Sequence, residues 1–183
     1  MKRIVIVSVI AASGLLLLRA QNGPRRGGEG SQWSGDDHVK PAFEHKATIR
    51  EANGKRIIES NGIPDHDVGH FPRRGNPNTI APQNYHMEVP LQPKLAEKPS
   101  LVTMQAFGVA VNGVVFDPNA AEWWQNDRSS GWQYEANSGK INLGLDLNSA
   151  HVQPNGAYHY HGLPMGLMAK LGGEGKKINR CPA

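Results

Sequence analysis

Apolar residues in this chain come in short runs separated by turn-forming pairs, a pattern of β-hairpins rather than of long helices. The first unit spans residues 47–60. Asn53-Gly54 divides two runs suited to strands, and a two-residue turn needs positive φ at both positions, which Asn and Gly tolerate best. This turn sets Ala52 opposite Lys55, Glu51 opposite Arg56 and Ile49 opposite Ile58. A charge pair is expected on one face and an isoleucine pair on the other. Residues 107–111 and 114–116 flank a second such pair, Asn112-Gly113. A two-residue turn there pairs Val111 with Val114, Ala110 with Val115 and Val109 with Phe116. Both arms are apolar on both faces, which predicts a hairpin at the centre of a sheet. Residues 85–89 read as an edge strand stopped by Pro90 and Pro93. Ile141, Leu143, Leu145 and Leu147 alternate with polar or small residues and predict a further strand.

Between these runs the pattern dissolves. Residues 61–84 are rich in Gly, Pro, Asn and His and predict one long loop. Residues 91–100 form a polar connector, 120–126 a short helical turn, and 164–171 a short helix ended by Gly172-Gly173. The fold class that follows is mainly β. Antiparallel hairpins form a sandwich-like or barrel-like sheet with long loops and one or two short helices.

The candidate chemistry sits on one more hairpin. His151-Val152-Gln153 and Ala157-Tyr158-His159-Tyr160-His161 are joined by Pro154-Asn155-Gly156. Pro suits the second position of a type I turn, Asn the third, and Gly the left-handed residue that follows. A three-residue loop pairs Gln153 with Ala157 and sets His151 opposite His159. Side chains alternate along a strand, so His161 shares their face while Tyr158 and Tyr160 take the other. Three neutral imidazoles with an open fourth position suit Zn²⁺ or Cu²⁺. Asp146 or Glu135 could supply a carboxylate, as a ligand or as an outer acceptor for an imidazole N–H, and Tyr158, Tyr160 and Trp132 are candidate contacts around the site. A two-residue Asn155-Gly156 turn would instead turn His151 away. The other reading of the cluster is structural, with the rings bonded to buried backbone.

Two weaker signals remain. His66 and His70 have ligand spacing for a helix, but Pro64, Gly69 and Pro72 place them in a loop. Trp123, Trp124 and Trp132 lie close together. They suit either a flat-ligand platform, such as one for a sugar, or a cluster packed over the sheet with its indole N–H groups bonded internally.

The N-terminus changes the charge balance. Lys2 and Arg3 precede an apolar run over 4–18, and Ala20 precedes a plausible cut, so residues 1–20 read as a secretory signal peptide. An uncleaved N-terminal membrane anchor is the alternative, although the run is short for a bilayer span. Cleavage removes three of the twenty basic residues and none of the sixteen acids, leaving a net charge near neutrality. The apparent basicity therefore gives no ground for a nucleic-acid partner. Residues 21–46 are expected to be a flexible Gly-rich linker, and 47–183 the domain. Cys181 is the one cysteine, so no internal disulfide is expected.

Several segments together resemble the bacterial YHYH-domain family: Gly108-Val-Ala-Val-Asn-Gly-Val-Val-Phe-Asp-Pro118, Gly131-Trp-Gln-Tyr-Glu135, Asn142-Leu-Gly-Leu-Asp146, Ala150-His-Val-Gln-Pro154 and Tyr158-His-Tyr-His-Gly162. The resemblance extends over about 57–171. It implies an exported, largely β domain and carries no named reaction. Against the family's pattern the chain looks shortened at its C-terminus, which bears on the site and on any partner for Cys181. The expected function is a secreted or periplasmic metal-binding domain. The alternative is a cell-surface glycan- or protein-binding module with structural histidines. No Ser-His-Asp pattern, nucleotide loop or paired-cysteine motif points to a particular reaction.

Overall fold

The computed structural model describes residues 38–101, 104–117 and 119–172. The expected signal segment, the linker through residue 37 with Trp33, and 173–183 with Cys181 lie outside the described residues. Among those described, β1 (Ala47–Ala52), β2 (Lys55–Ser60) and β3 (Tyr85–Pro90) form an antiparallel sheet with β2 in the middle. β4 (Gly108–Val109), β5 (Val115–Phe116), β6 (Ala150–Val152) and β7 (Tyr158–Tyr160) form a second sheet in the order β4-β5-β7-β6. Its pairs are antiparallel except for β5 and β7, which run parallel. Neither sheet closes into a barrel. A single described α-helix, α1 (Met165–Lys170), and 3-10 turns at Trp124–Asn126, Arg128–Ser130 and Ala136–Ser138 complete the fold. No helix among the described residues is long and apolar enough to cross a membrane.

The β1–β2 hairpin has the expected register, with Ile49 opposite Ile58 and Glu51 opposite Arg56. The expected division of faces is corrected, however. Positions two apart on a strand share a face, so the ion pair and the isoleucine pair lie on the same side. β2 buries both Ile57 and Ile58 because it is the central strand, and β3 takes the edge, with Met87 opposite Ile58.

The second Asn-Gly hairpin differs from expectation. Ala110 N–H donates to Val114 O at 2.8 Å, Gly113 N–H donates to Ala110 O at 2.8 Å, and Val109 pairs with Val115. The loop is therefore three residues, and the register moves by one. At Asn53-Gly54 both residues have positive φ, 52° and 71°, whereas here Gly113 alone does, at 75°. The Asn112 side chain is held elsewhere: its Nδ2 donates to Asp65 Oδ1 and Tyr160 Oη, and its Oδ1 accepts from Val114 N–H. These bonds favour the three-residue geometry with a left-handed glycine. The hairpin is not central as a unit. β4 is the sheet edge, and Phe107 and Val111 are exposed.

Residues 141–147 are no strand. Gly144 turns the chain at φ 64°, stabilised by Asn142 Oδ1 accepting its N–H at 2.9 Å. Burial does not follow the alternation either: residues 143–146 are all buried and Ile141 and Leu147 only partly, with Leu143 and Leu145 packed with Ala120 and Ala136 in a small second cluster. The main cluster contains Val68, Val114, Val152, Tyr158, Tyr160 and Leu167. The stretch 38–46, expected as the linker's end, is tied down. Val39 and Val68 exchange backbone hydrogen bonds of 2.9 and 2.8 Å, and His45 Nδ1 meets Ile63 O at 2.7 Å.

Gly113 couples the sheets. A Cβ there would lie 2.3 Å from Ser60 Oγ and 3.2 Å from Ala47 Cβ, so the turn seats its bare backbone against the start of β1 and the end of β2. Gly54 has a similar φ but nothing within 4 Å of its added Cβ. Gly54→Ala should cost about 1–2 kcal/mol, the left-handed strain alone. Gly113→Ala should cost measurably more, because Ser60 must also move. Urea midpoints at unchanged m-value measure both, and equal losses would show that the contact between the sheets is soft.

Candidate metal centre

The β6–β7 turn takes the three-residue form. Gln153 N–H donates to Ala157 O at 2.9 Å, Gly156 N–H donates to Gln153 O at 2.8 Å, and Gly156 has φ 86°. Gly156 also approaches Ala81 closely; a Cβ there would lie 2.5 Å from the alanine methyl. The resulting register sets His151 opposite His159, Val152 opposite Tyr158 and Ala150 opposite Tyr160. His161 follows on the same face, its N–H donating to Ser149 O at 2.7 Å.

The three imidazoles meet edge to edge, with centroids 4.7–4.8 Å apart. His161 Nε2 lies 3.0 Å from His159 Nε2 and 3.1 Å from His151 Nε2. The outer nitrogens define the tautomers. His151 Nδ1 lies 2.7 Å from Leu143 O and His159 Nδ1 lies 3.2 Å from Ala157 O. A carbonyl only accepts, so both Nδ1 atoms carry the proton and both Nε2 atoms present a lone pair. A hydrogen on His161 Nε2 can serve one of these lone pairs well, not both.

That donor set fits a metal ion. A tetrahedral site with metal–nitrogen bonds of about 2.0–2.1 Å places its nitrogens roughly 3.3–3.4 Å apart, a few tenths of an ångström wider than the two contacts seen. Backbone carbonyls already orient two of the rings, the usual support for metal-binding imidazoles. The environment also keeps the rings neutral. Burial, reinforced by the neighbouring His161 and His151, lowers the His159 pKa to about 3. Burial lowers that of His151, against its bond to Leu143 O and the nearby carboxylates.

Tyr158 and Tyr160 occupy the opposite face, both fully buried. Tyr158 Oη donates to Asp146 Oδ2 at 2.7 Å. The same buried carboxylate accepts from the backbone N–H groups of Gly69, Asn148 and Ala150 at 2.9, 2.8 and 3.3 Å. Burial raises the Asp146 pKa while these bonds pull it down. With four close donors around it, we regard this group as a carboxylate that organises the 146–150 turn. Burial also raises the pKa of both tyrosines, so they remain hydrogen-bond donors. Tyr160 Oη donates to His66 Nε2 at 2.7 Å and accepts from Asn112 Nδ2 at 2.9 Å, while His66 Nδ1 donates to Asp67 O.

The structure thus brings together His151, His159 and His161 and leaves the other sequence candidates apart. Asp146 lies across the strand on the tyrosine side. His66 belongs to the Tyr160 network, and His70 is exposed. Glu135 caps the 136–138 turn through Asn137 N–H, and Trp132 is on the surface. The tryptophans do not form a packed layer over the sheet: Trp132 is 74% exposed and Trp124 49%. Two carboxylates that sequence reasoning did not select, Asp117 and Glu122, line the cavity of about 490 Å³ in front of the histidines. Asp117 arrives there because its N–H extends the parallel β5–β7 ladder to Tyr160 O at 2.9 Å. A long-range parallel pairing leaves no local sequence signal.

The family model described as YHYH protein matches residues 86–180. No curated protein and no solved structure matches the chain.

Removing the Tyr158 hydroxyl strips one donor from a buried carboxylate. Tyr158→Phe should therefore cost about 1.5–3 kcal/mol in denaturant unfolding, the range for bonds to charged groups. A loss within about 0.5 kcal/mol, typical of uncoupled surface changes, would mean that Asp146 is not anchored there. The metal-free protein should also show a pH signature. In the unfolded chain His159 takes a proton below about 6.5, whereas in the folded state it does so only near 3. Stability contributed by neutral His159 is then complete above about pH 6.5 and declines as pH falls toward 3, by up to about 1.4 kcal/mol per unit. Unfolding in chelator across this window measures the slope, and a His159→Gln variant should lack that component.

Proposed function

The chain belongs to the YHYH protein family, and we propose that its histidine triad is a transition-metal site, for zinc or copper, in an exported protein. The observation that carries this reading is the convergence of three Nε2 atoms, two of them committed as lone-pair donors by carbonyls on their Nδ1–H groups. Desolvation favours neutral imidazole, the form that ligates. The rings approach from one side, so a fourth position would face the cavity lined by Asp117 and Glu122. A bound zinc or copper ion would supply Lewis acidity there, and copper would add one-electron chemistry.

The chain's own residues determine what such a site can do. His159 is 2% exposed and forms the floor, while His151 and His161 are partly open at the rim. Glu122 is half-buried and makes no side-chain hydrogen bond to the described residues. It is placed to orient a water or ligand in the cavity. The export reading rests on the apolar run near the N-terminus.

Elemental analysis of the purified mature protein tests the proposal. Close to one zinc or copper per chain is expected, with loss in His159→Ala. Added metal at a hundredfold excess over its dissociation constant should stabilise the wild type by about 2.7 kcal/mol. Metal-free wild-type protein whose melting temperature ignores both ions would overturn the proposal. Near-ultraviolet circular dichroism on the variant separates lost ligation from lost packing.

A further inference from the structure

We propose a second binding site beside the triad, an aromatic hollow that takes a neutral saccharide chain. It goes beyond the metal site and does not require a metal to be bound. Trp123, Trp132, Tyr134 and Glu135 line a depression of about 640 Å³. Met104, Asn119 and Ala120 line both this depression and the histidine cavity, so the two share a wall.

The mounting of Trp132 is the unusual feature. Its indole is 74% exposed, yet the backbone beneath it is closely held. Asp127 Oδ1 accepts from Ser129 N–H at 2.8 Å and from Ser129 Oγ at 2.6 Å. Ser130 Oγ donates to Asp127 O at 2.7 Å and lies 3.1 Å from Trp132 N, within hydrogen-bond reach. Trp132 O accepts from Trp124 N–H at 2.9 Å, and Gly131 completes the turn at φ 70°. Neighbouring rings are fixed as well. Trp124 packs on Tyr134 with centroids 5.3 Å apart, and the Arg128 guanidinium lies 5.5 Å from the Trp123 centroid. An aromatic side chain carried on backbone that is already held loses less entropy when a ligand covers it than one on a loose loop.

The polar groups select the ligand class. Flat indole and phenol faces complement the C–H faces of pyranose rings, and carboxylates and amides complement the hydroxyl rims. Glu135 lines the hollow, and Asp117 and Glu122 line the adjoining cavity. Three carboxylates disfavour a polyanion such as nucleic acid, and the Arg128 charge is already placed over an aromatic ring. A neutral chain of several sugars is the ligand whose chemistry matches this surface and whose length spans both depressions.

Cellohexaose, chitohexaose and mannohexaose titrated into the mature protein, followed by tryptophan fluorescence, test this assignment. At least one should bind saturably in both chelated and zinc-loaded protein, so that failure of the metal reading would not hide the result. Trp132→Ala should weaken that binding by roughly tenfold or more, the scale set by one aromatic stacking contact. Its circular dichroism and zinc content should be unchanged, since the indole is a surface group. Absence of binding by all three sugars would overturn the proposal. So would unchanged affinity in Trp132→Ala, or binding seen only with zinc and lost in His159→Ala. Equal binding of an unstructured peptide of similar length would show a generic apolar surface and would also overturn it.

Discussion

The register of a single turn holds this site together. Pro154-Asn155-Gly156 closes β6 onto β7 as a three-residue loop, and every side chain beyond it takes its face from that count. A shift of one residue would send His151 to the other side and bring Val152 among the imidazoles. The turn is secured twice, by its own hydrogen bonds and by Gly156 packed against Ala81, whose N–H donates to Gly156 O at 2.9 Å. The spacing is therefore fixed by contacts of the turn backbone that involve none of the three histidines.

The tyrosine face extends that order through the molecule. Tyr158 reaches the Asp146 carboxylate, which gathers the backbone of the 146–150 turn and of Gly69. Tyr160 reaches His66 and Asn112, and Asn112 in turn reaches Asp65, which pairs with Lys170 at the end of α1. The exposed Lys170 ion pair adds little stability by itself. The buried members carry the larger share, because each would leave a partner unsatisfied if removed. Both hydroxyls thus join separate loops to β7, the strand that carries His159 and leads into His161.

Local chemistry was readable from the sequence where a turn dictated it. Asn53-Gly54 and Pro154-Asn155-Gly156 specified their hairpins because their residues match particular φ values. Asn112-Gly113 misled for the same reason in reverse: its asparagine is occupied by Asp65 and Tyr160, residues remote in sequence. Ile141 to Leu147 showed a strand-like period, yet Gly144 bends the segment and no strand among the described residues pairs with it. The parallel β5–β7 pair, and with it the arrival of Asp117 beside the histidines, depends on contacts more than forty positions apart and left no local trace. The candidate carboxylate was sought in Asp146, which is close in sequence but separated from the triad by the thickness of the strand.

The alternation in Tyr158-His159-Tyr160-His161 has a consequence for how such a motif changes over time. Its two halves answer to different demands, one to folding and one to chemistry, yet they share one backbone. An insertion or deletion of one residue inside the tetrapeptide reverses the face of every residue beyond it, turning an imidazole toward the apolar interior or a phenol toward the cavity. Point substitutions can erode one half while sparing the other, but a change in length damages both together. Recognition of these four letters therefore detects a structural unit whose spacing is as informative as its residues.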